Sequence, residues 1–290
     1  MKNEIIEFCA TDGVMLNGYT NKENSNNNKV LIQIHGMTSN CLKNRERVIA
    51  QTVKGIKIDS ICINTRGSEI VKYIKYKNGN KKLAGTAYED VEESYYDIVG
   101  VINYALKQGY SSIYLQGHSL GSTKIVYTYK KMKEENDPLL KHIKGIILLS
   151  LVDIPDMFKT YSKSEYVSYA EEKEKKGEIL DLMPINSFIH PISVQTFLKY
   201  VKYNEKIDFA QYTIENNDFS ILNQIEVPIF MRWGNINELI KRTAKNQAEF
   251  MLKKIKNIHK DIGYVDGADH SYTGKESILA EQIKTFLEIN

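Results

Sequence analysis

Short apolar runs rich in β-branched residues alternate with helical patterns along most of this chain, and this alternation constrains the fold more than any other feature. Runs typical of strands lie at 29–34, 57–64, 112–115 and 144–151. Between them, residues 88–107 place apolar side chains on one helical face, and residues 45–53 and 119–133 also favour helices. This order predicts an α/β fold, with a mostly parallel, doubly wound sheet and helices on both faces.

The alternation is interrupted after Asp153. From residue 154 to 225 the chain has no long apolar run, but it has a charged helical pattern over 165–176 and scattered loop residues. Strand and helix patterns then resume at 227–233, 238–254, 262–265 and 275–287. We predict a core of residues 1–153 and 226–290, and a helical lid over 154–225 inserted before the penultimate strand.

Composition excludes several classes of protein. The 290 residues contain 39 Lys and Arg against 36 Asp and Glu, a net charge of +3, which favours neither a nucleic-acid partner nor an anionic membrane. No apolar run approaches the roughly 18 residues of a membrane span, and the charged start has no signal-peptide pattern. The three cysteines lack the spacing of a disulfide framework or a metal site. We predict a cytoplasmic protein without metal; the sequence leaves its oligomeric state open.

The strongest local motif is Gly117-His118-Ser119-Leu120-Gly121, a G-x-S-x-G between a predicted strand and a predicted helix. A serine at such a tight turn projects its hydroxyl from the carboxyl edge of the sheet, and small flanking residues allow the strained backbone to pack closely. The amides that open the following helix point toward developing negative charge on a substrate oxygen. Ser119 is therefore a candidate nucleophile.

A general base for this serine is expected late in the chain, in a loop after the last strand. Of the six histidines, only His270 has that position, within the segment Gly267-Ala268-Asp269-His270. We predict that it takes the proton of Ser119, whereas the neighbouring Asp269 has the position of a loop-capping residue.

Together these motifs resemble those of the α/β-hydrolase superfamily. The resemblance covers nearly the whole chain, in the order His35-Gly36, Arg66-Gly67, GHSLG, the inserted segment, Trp233-Gly234 and GADH. The stretches GHSLGSTKIVYTYKK, IKGIILLSLVD and GADHSYTG are more narrowly similar to a branch that includes fungal siderophore esterases and bacterial relatives.

The resemblance implies an oxyanion hole made of two backbone amides. One comes from the loop after the first long strand, and the other from the residue after the nucleophile. We assign them to Met37 and Leu120, and we interpret His35 as a residue that braces this loop through hydrogen bonds.

The third member of the triad departs from the family pattern. The acid usually ends a G-x-x-D motif after the penultimate strand, but here that position is Asn237, which cannot balance the charge of an imidazolium. Three possibilities stay open. The next residue, Glu238, supplies the carboxylate; Asp153, after the preceding strand, supplies it; or Asn237 occupies the position and activity is weak, altered or absent.

The leading hypothesis is a serine hydrolase that cleaves an ester or thioester of a small molecule and needs no cofactor. No G-x-G-x-x-G or phosphate-binding loop suggests a nucleotide. The alternative is a hydrolase-fold binding or regulatory protein whose triad has degenerated. Aromatic residues of the lid either form the roof of an apolar pocket or pack the lid onto the core; they are Tyr161, Tyr166, Phe188, Phe197 and Tyr200.

Two further segments are interpreted as solvated. Residues 68–85 are polar and are predicted to cross the surface as a loop. The carboxylates of the next helix are predicted to form its solvent-exposed face; they are Asp90, Glu92, Glu93 and Asp97.

Overall fold

A single mixed sheet organises the part of the chain that the computed structural model describes, residues 2–22, 27–159 and 161–290. Its strands are β1 (Lys2–Cys9), β2 (Val14–Lys22), β3 (Lys29–Ile34), β4 (Asp59–Asn64), β5 (Lys72–Tyr76), β6 (Lys81–Ala84), β7 (Ser112–His118), β8 (Ile143–Leu149), β9 (Ile229–Gly234) and β10 (Lys260–Val265). The order across the sheet is β10-β9-β8-β7-β3-β4-β2-β5-β6, and β1 pairs with β2. Strands β3, β4 and β7 to β10 pair in parallel, whereas β1, β2, β5 and β6 are antiparallel.

Helices cover both faces of this sheet. They are α1 (Asn44–Lys54), α2 (Ser94–Lys107), α3 (Leu120–Glu134), α4 (Ile154–Phe158), α5 (Ser164–Lys175), α6 (Val194–Val201), α7 (Ala244–Lys254) and α8 (Glu276–Ile289). Neighbouring residues of a strand point to opposite faces, so Leu31 packs in the core layer under α1 and α8, and Ile32 in the layer under α2 and α3. Because both faces are buried, the central strands are mostly apolar, with a few buried polar residues such as Gln33 and Gln116, and the predicted α/β class is confirmed.

The segment from 154 to 225 lies between β8 and β9. It contains α4, α5 and α6, and its described residues add no strand to the sheet; an isolated bridge joins Leu182 to Ser193 within the segment. Its aromatic rings pack on one another: Phe158 stacks on Tyr200 at 4.6 Å and on Phe188 at 5.0 Å between ring centroids. These contacts favour the packing interpretation of the aromatic residues.

Two sequence predictions were wrong in this architecture. Residues 72–84 form the hairpin β5–β6, where a surface loop was predicted; the turn signal Asn78-Gly79 marks it, and Gly79 has φ +89°. The helix predicted from residue 238 begins only at Ala244, because the Thr243 hydroxyl accepts the amide hydrogen of Asn246 and caps it there.

The prediction that the carboxylates at the start of α2 form a solvent-exposed face is wrong as well. Asp97 is fully buried and accepts hydrogen bonds from Arg66 Nε at 2.9 Å and Nη2 at 2.7 Å, while Glu92 binds Lys199 at 2.7 Å. The Arg66 pair joins the loop after β4 to α2. In the described ranges, no helix is long and apolar enough to cross a membrane.

Candidate active site

The carboxyl ends of the parallel strands bring the predicted site residues to one edge of the sheet. Ser119 follows β7 directly and precedes α3, and its backbone is strained, with φ 54° and ψ −124°. Its amide donates to the Leu149 carbonyl at 2.8 Å, which fixes the turn against the end of β8. Strain of this kind persists only where the surroundings enforce it, as in the turn that exposes a nucleophile.

The flanking glycines are required by packing. A Cβ on Gly117 would lie 2.4 Å from the backbone of Gly121, and one on Gly121 would lie 2.4 Å from the Ile34 carbonyl oxygen. Both distances are far below van der Waals contact. The helix that begins at Leu120 can therefore approach β3 only with glycine at these two positions.

His270 lies in the loop after β10, and its Nδ1 is hydrogen-bonded to Oε1 of Glu238. The Glu238 side chain is only 4% exposed, and its Oε2 accepts from the Ser150 hydroxyl at 2.7 Å and the Gly234 amide at 3.0 Å. Burial alone would raise the pKa of Glu238, but the hydrogen bonds from His270, Ser150 and the Leu239 amide outweigh it and lower that pKa. The carboxylate is thus held ionised against the imidazole.

The other two residues considered as partners of His270 lie elsewhere. Asp153 caps α4, because its Oδ1 accepts the Asp156 amide hydrogen at 3.0 Å. Asn237 is exposed with φ +50°, and no hydrogen bond among the described residues joins it to His270. The turn at Asn237 instead directs the following side chain, that of Glu238, back toward the sheet. Asp269 caps its own loop, as predicted, by accepting the Thr273 amide hydrogen at 2.8 Å.

The loop after β3 lies against the serine turn. A Cβ on Gly36 would lie 3.0 Å from both the His118 carbonyl oxygen and the Ser119 Cβ, so the loop packs directly against the turn. Thr38, with φ +52°, donates its amide hydrogen to the buried Thr86 hydroxyl at 2.8 Å, which in turn donates to the Gly67 carbonyl at 2.9 Å. Met37 precedes this anchored residue, and Leu120 opens α3, where the first amides have no partner within the helix.

His35 braces this loop, as its sequence position suggested. Its Nδ1–H donates to the Gly36 carbonyl at 2.8 Å, and its Nε2 accepts the Thr65 amide hydrogen at 3.1 Å. Burial, reinforced by the Lys124 ammonium, lowers the pKa of His35 from 6.5 to about 3. The ring is therefore held neutral.

This neutral ring makes stability depend on pH. Below pH 6.5 the unfolded chain binds a proton that the folded protein excludes down to about pH 3, so stability present above pH 6.5 is lost as the pH falls. We expect His35→Gln to remove a slope of up to about 1.4 kcal/mol per pH unit from the free energy of unfolding. Urea denaturation at pH 7.5, 6 and 5 measures it, and His259→Gln, at an exposed ring, is the matched control. Equal slopes in wild type and His35→Gln would contradict the assignment.

Three residues of this site were missed by sequence reasoning. His118, inside the motif, has a ring nitrogen, Nε2, that donates to the His270 carbonyl at 2.7 Å, and burial lowers its pKa well below the usual value. Ser150 holds Glu238, and Tyr272 donates to the Arg232 carbonyl at 2.8 Å beside it. Of the three, only His118 had a sequence signal, which is its position inside the G-x-S-x-G motif. Tertiary contacts bring Ser150 and Tyr272 to the site, and no local sequence pattern marks them.

A family model described as "Protein of unknown function (DUF1749)" matches residues 84–288. The chain belongs to the DUF1749 family. The match includes the serine turn, Glu238 and His270, and it begins at Ala84, the last residue of β6. A comparison with curated proteins finds no significant sequence match.

Solved structures resemble this DUF1749 protein over nearly its whole length. Est1E from Butyrivibrio proteoclasticus, with ferulic acid bound, is 19% identical, with 97% of each chain covered and a TM-score of 0.62. An esterase from Pyrococcus furiosus is 16% identical over 99% of this chain and 91% of that one, with a TM-score of 0.63. The α/β hydrolase GrgF from a Penicillium species is 16% identical over 99% and 98%, with a TM-score of 0.65. These likenesses confirm that the chain has the fold of the α/β hydrolases; the narrower likeness to siderophore esterases stays a prediction.

In this DUF1749 chain, one cavity of about 510 Å³ contains both Ser119 and His270 in its lining. Its other lining residues come from the loop after β3, the start of α1, the end of β7, the loop after β10 and the start of α8; they are Gly36, Met37, Thr38, Ser39, Lys43, Asn44, Arg45, His118, Ser271, Thr273 and Glu276. None of them lies within 154–225, so the aromatic residues of that segment do not line this cavity. Among the described residues, no group of three or more His, Cys, Asp or Glu side chains could hold a metal ion.

Proposed function

We propose that this protein is a serine hydrolase that cleaves a carboxylic ester or thioester of a small molecule through an acyl-enzyme on Ser119. One observation carries the proposal: a serine in a strained strand-to-helix turn and a histidine bound to a buried carboxylate line the same cavity. This is the constellation that nucleophilic acyl transfer requires. The esterases among the similar structures agree with it.

In the proposed mechanism, Ser119 Oγ attacks the carbonyl carbon while His270 Nε2 takes the hydroxyl proton. Glu238 accepts the Nδ1–H and balances the imidazolium charge, and the amides of Met37 and Leu120 bind the oxyanion. Collapse of the tetrahedral intermediate breaks the bond to the leaving oxygen or sulfur, which receives the proton from His270. Water, deprotonated by His270, then attacks the acyl-enzyme and releases the carboxylic acid and free Ser119.

The division of the chain belongs to the same proposal. The core, residues 1–153 and 226–290, supplies every residue of this mechanism, and the inserted segment 154–225 supplies none. The alternative, a binding protein with a degenerate triad, depended on Asn237. It loses that direct support because Glu238 places a carboxylate on His270.

A fluorophosphonate probe tests the proposal, because it phosphonylates only an activated serine. We expect the folded protein to react at Ser119, mapped by mass spectrometry of its peptides, and heat-unfolded protein to stay unlabelled. A panel of small 4-nitrophenyl esters measures turnover in parallel. Folded protein that neither reacts at Ser119 nor cleaves any ester would exclude the hydrolase and leave the binding protein.

A further inference from the structure

We propose that the cavity of Ser119 binds substrates with an anionic group, most simply a carboxylate. The anionic group would bind at the end of the cavity that the start of α1 forms. This inference rests on the proposed function and names the substrate class for the same site. That end of the cavity is lined by polar and charged side chains: Lys43, Asn44, Arg45, Ser271, Thr273 and Glu276.

The first observation is a free cation at the start of a helix. Lys43 occupies the N-cap of α1 and makes no side-chain cap there. Ser, Thr, Asp and Asn are preferred at the N-cap, because their side-chain oxygens accept hydrogen bonds from the unpaired backbone N–H groups of the first turn. A positive charge is unfavourable there, because it lies beside the positive end of the helix dipole. Lys43 is exposed, and no carboxylate of the described residues pairs with it. The Lys43 ammonium is therefore left without an ion-pair partner in the described part of the chain; the acidic residue in the first turn of α1, Glu46, pairs with Arg45 instead.

The second observation is a buried donor without an acceptor. Arg45 is only 4% exposed; its Nη2 donates to Glu46 at 2.5 Å and its Nη1 to the Ser271 carbonyl at 3.3 Å. Its Nε is buried and has no hydrogen-bond partner. An unsatisfied buried N–H of a charged group is costly, and Arg45 lines the cavity, so an anionic ligand that reached Nε would supply the missing acceptor.

Two carboxylates lie near these cations. Glu46 pairs with Arg45 and does not line the cavity, while Glu276 Oε1 accepts from the Asn44 side-chain amide at 2.9 Å. Of the two cations in the lining, Lys43 is therefore the one without a carboxylate partner among the described residues. The first turns of α1 and α8 both face the cavity, and neither helix has a side-chain cap, so their amides add positive potential. An anionic substrate group can interact with Lys43 and with these amides.

The volume limits the size of the substrate. At about 510 Å³, the cavity lies in the range of small-molecule sites. Among the described residues of its lining, Met37 is the only large apolar side chain, so a long acyl chain finds few apolar side chains to pack against. A short ester with one carboxylate, on either its acyl or its alcohol part, matches the cavity in charge and size.

Two pairs of isosteric esters test the inference. 4-Acetoxybenzoate is compared with 4-acetoxybenzamide, and the 4-nitrophenyl half-ester of adipic acid with its terminal amide. We expect kcat/KM for the anionic member of at least one pair to exceed that of the neutral member about 10-fold or more, through KM, and the preference to weaken with added salt. Lys43→Gln should bring the ratio to near 1, and Lys43→Arg should restore it. Lys107→Gln, which removes an exposed cation at the end of α2, is the matched control.

Each outcome separates this inference from the proposed function. If neutral and anionic esters are cleaved equally well, or if Lys43→Gln keeps the wild-type ratio, the anionic subsite is wrong and the hydrolase stands. If no ester is cleaved and Ser119 is not labelled, the hydrolase itself is wrong; binding of 4-acetoxybenzoate but not of its amide to Ser119→Ala, measured by calorimetry, still supports the anionic site.

Discussion

Replacing Ser119 with alanine is expected to lower kcat for any ester substrate by about 10⁶-fold, the effect of removing the nucleophile in a comparable triad. The oxyanion amides and the cavity stay in place, so KM should change little. Stopped assays on protein purified in parallel with the wild type measure the loss, and circular dichroism verifies the fold. Activity that survives in Ser119→Ala would assign the nucleophile to another residue.

Ser119→Gly is the informative companion, because it separates the hydroxyl from the backbone strain. Alanine keeps a Cβ at φ 54° and ψ −124°, whereas glycine adopts these angles without steric cost. Glycine relieves the strain of the folded turn but adds entropy to the unfolded chain, and the net gain in the free energy of unfolding is about 1 kcal/mol. Both variants should be inactive, but Ser119→Gly should melt about 2 °C above Ser119→Ala. Equal melting temperatures would mean that the turn stores no strain.

Glu238→Gln is expected to lower kcat about 10⁴-fold, the effect of the corresponding amide in a serine protease. Glutamine keeps the size of the side chain but cannot balance an imidazolium, and its amide can hold His270 in the wrong tautomer. Because the wild-type carboxylate is 4% exposed, water cannot replace it. The loss should therefore fall on kcat rather than KM, as steady-state kinetics with 4-nitrophenyl esters would measure.

Asp153→Asn and Asn237→Gly are the matched controls for this residue. Asparagine retains the capping oxygen that Asp153 presents to Asp156, and glycine keeps the positive φ of the exposed Asn237, so both variants should fold and keep kcat within about 3-fold. If Asp153→Asn matched the loss in Glu238→Gln, or if Glu238→Gln kept full activity, the contact between Glu238 and His270 would have no part in turnover.

The serine turn and the late histidine were predictable because each depends on a short local pattern next to a strand end. The acid was not, because its identity depends on backbone direction: the positive φ of Asn237 and the hydrogen bonds of Glu238 to Ser150 and Gly234 decide which side chain reaches His270. The sequence shows both Asn237 and Glu238 but does not show which of the two side chains the turn directs toward His270.

The same limit explains the carboxylates at the start of α2. In the sequence, Asp97 lies among charged neighbours of a helical pattern, which is typical of a solvated face. In the structure, Arg66, which follows β4 and lies 31 residues earlier in the sequence, pairs with Asp97 inside the protein. The hairpin β5–β6 differs, because Asn78-Gly79 is a local signal for a turn. It was obscured by the lysines of these exposed strands.

The contacts of His270 have a consequence for how the protein is made. Its ring is hydrogen-bonded to Glu238, which lies 32 positions earlier in the sequence. Its backbone carbonyl accepts hydrogen bonds from His118, 152 positions earlier, and from Ser150, 120 positions earlier. During synthesis the serine turn emerges near the middle of the chain, long before β9 and β10 exist to carry its base and acid. A growing chain or a fragment that ends before β9 therefore contains Ser119 without the means to activate it, and under the proposed mechanism the capacity for acyl transfer arises only in the last stage of folding.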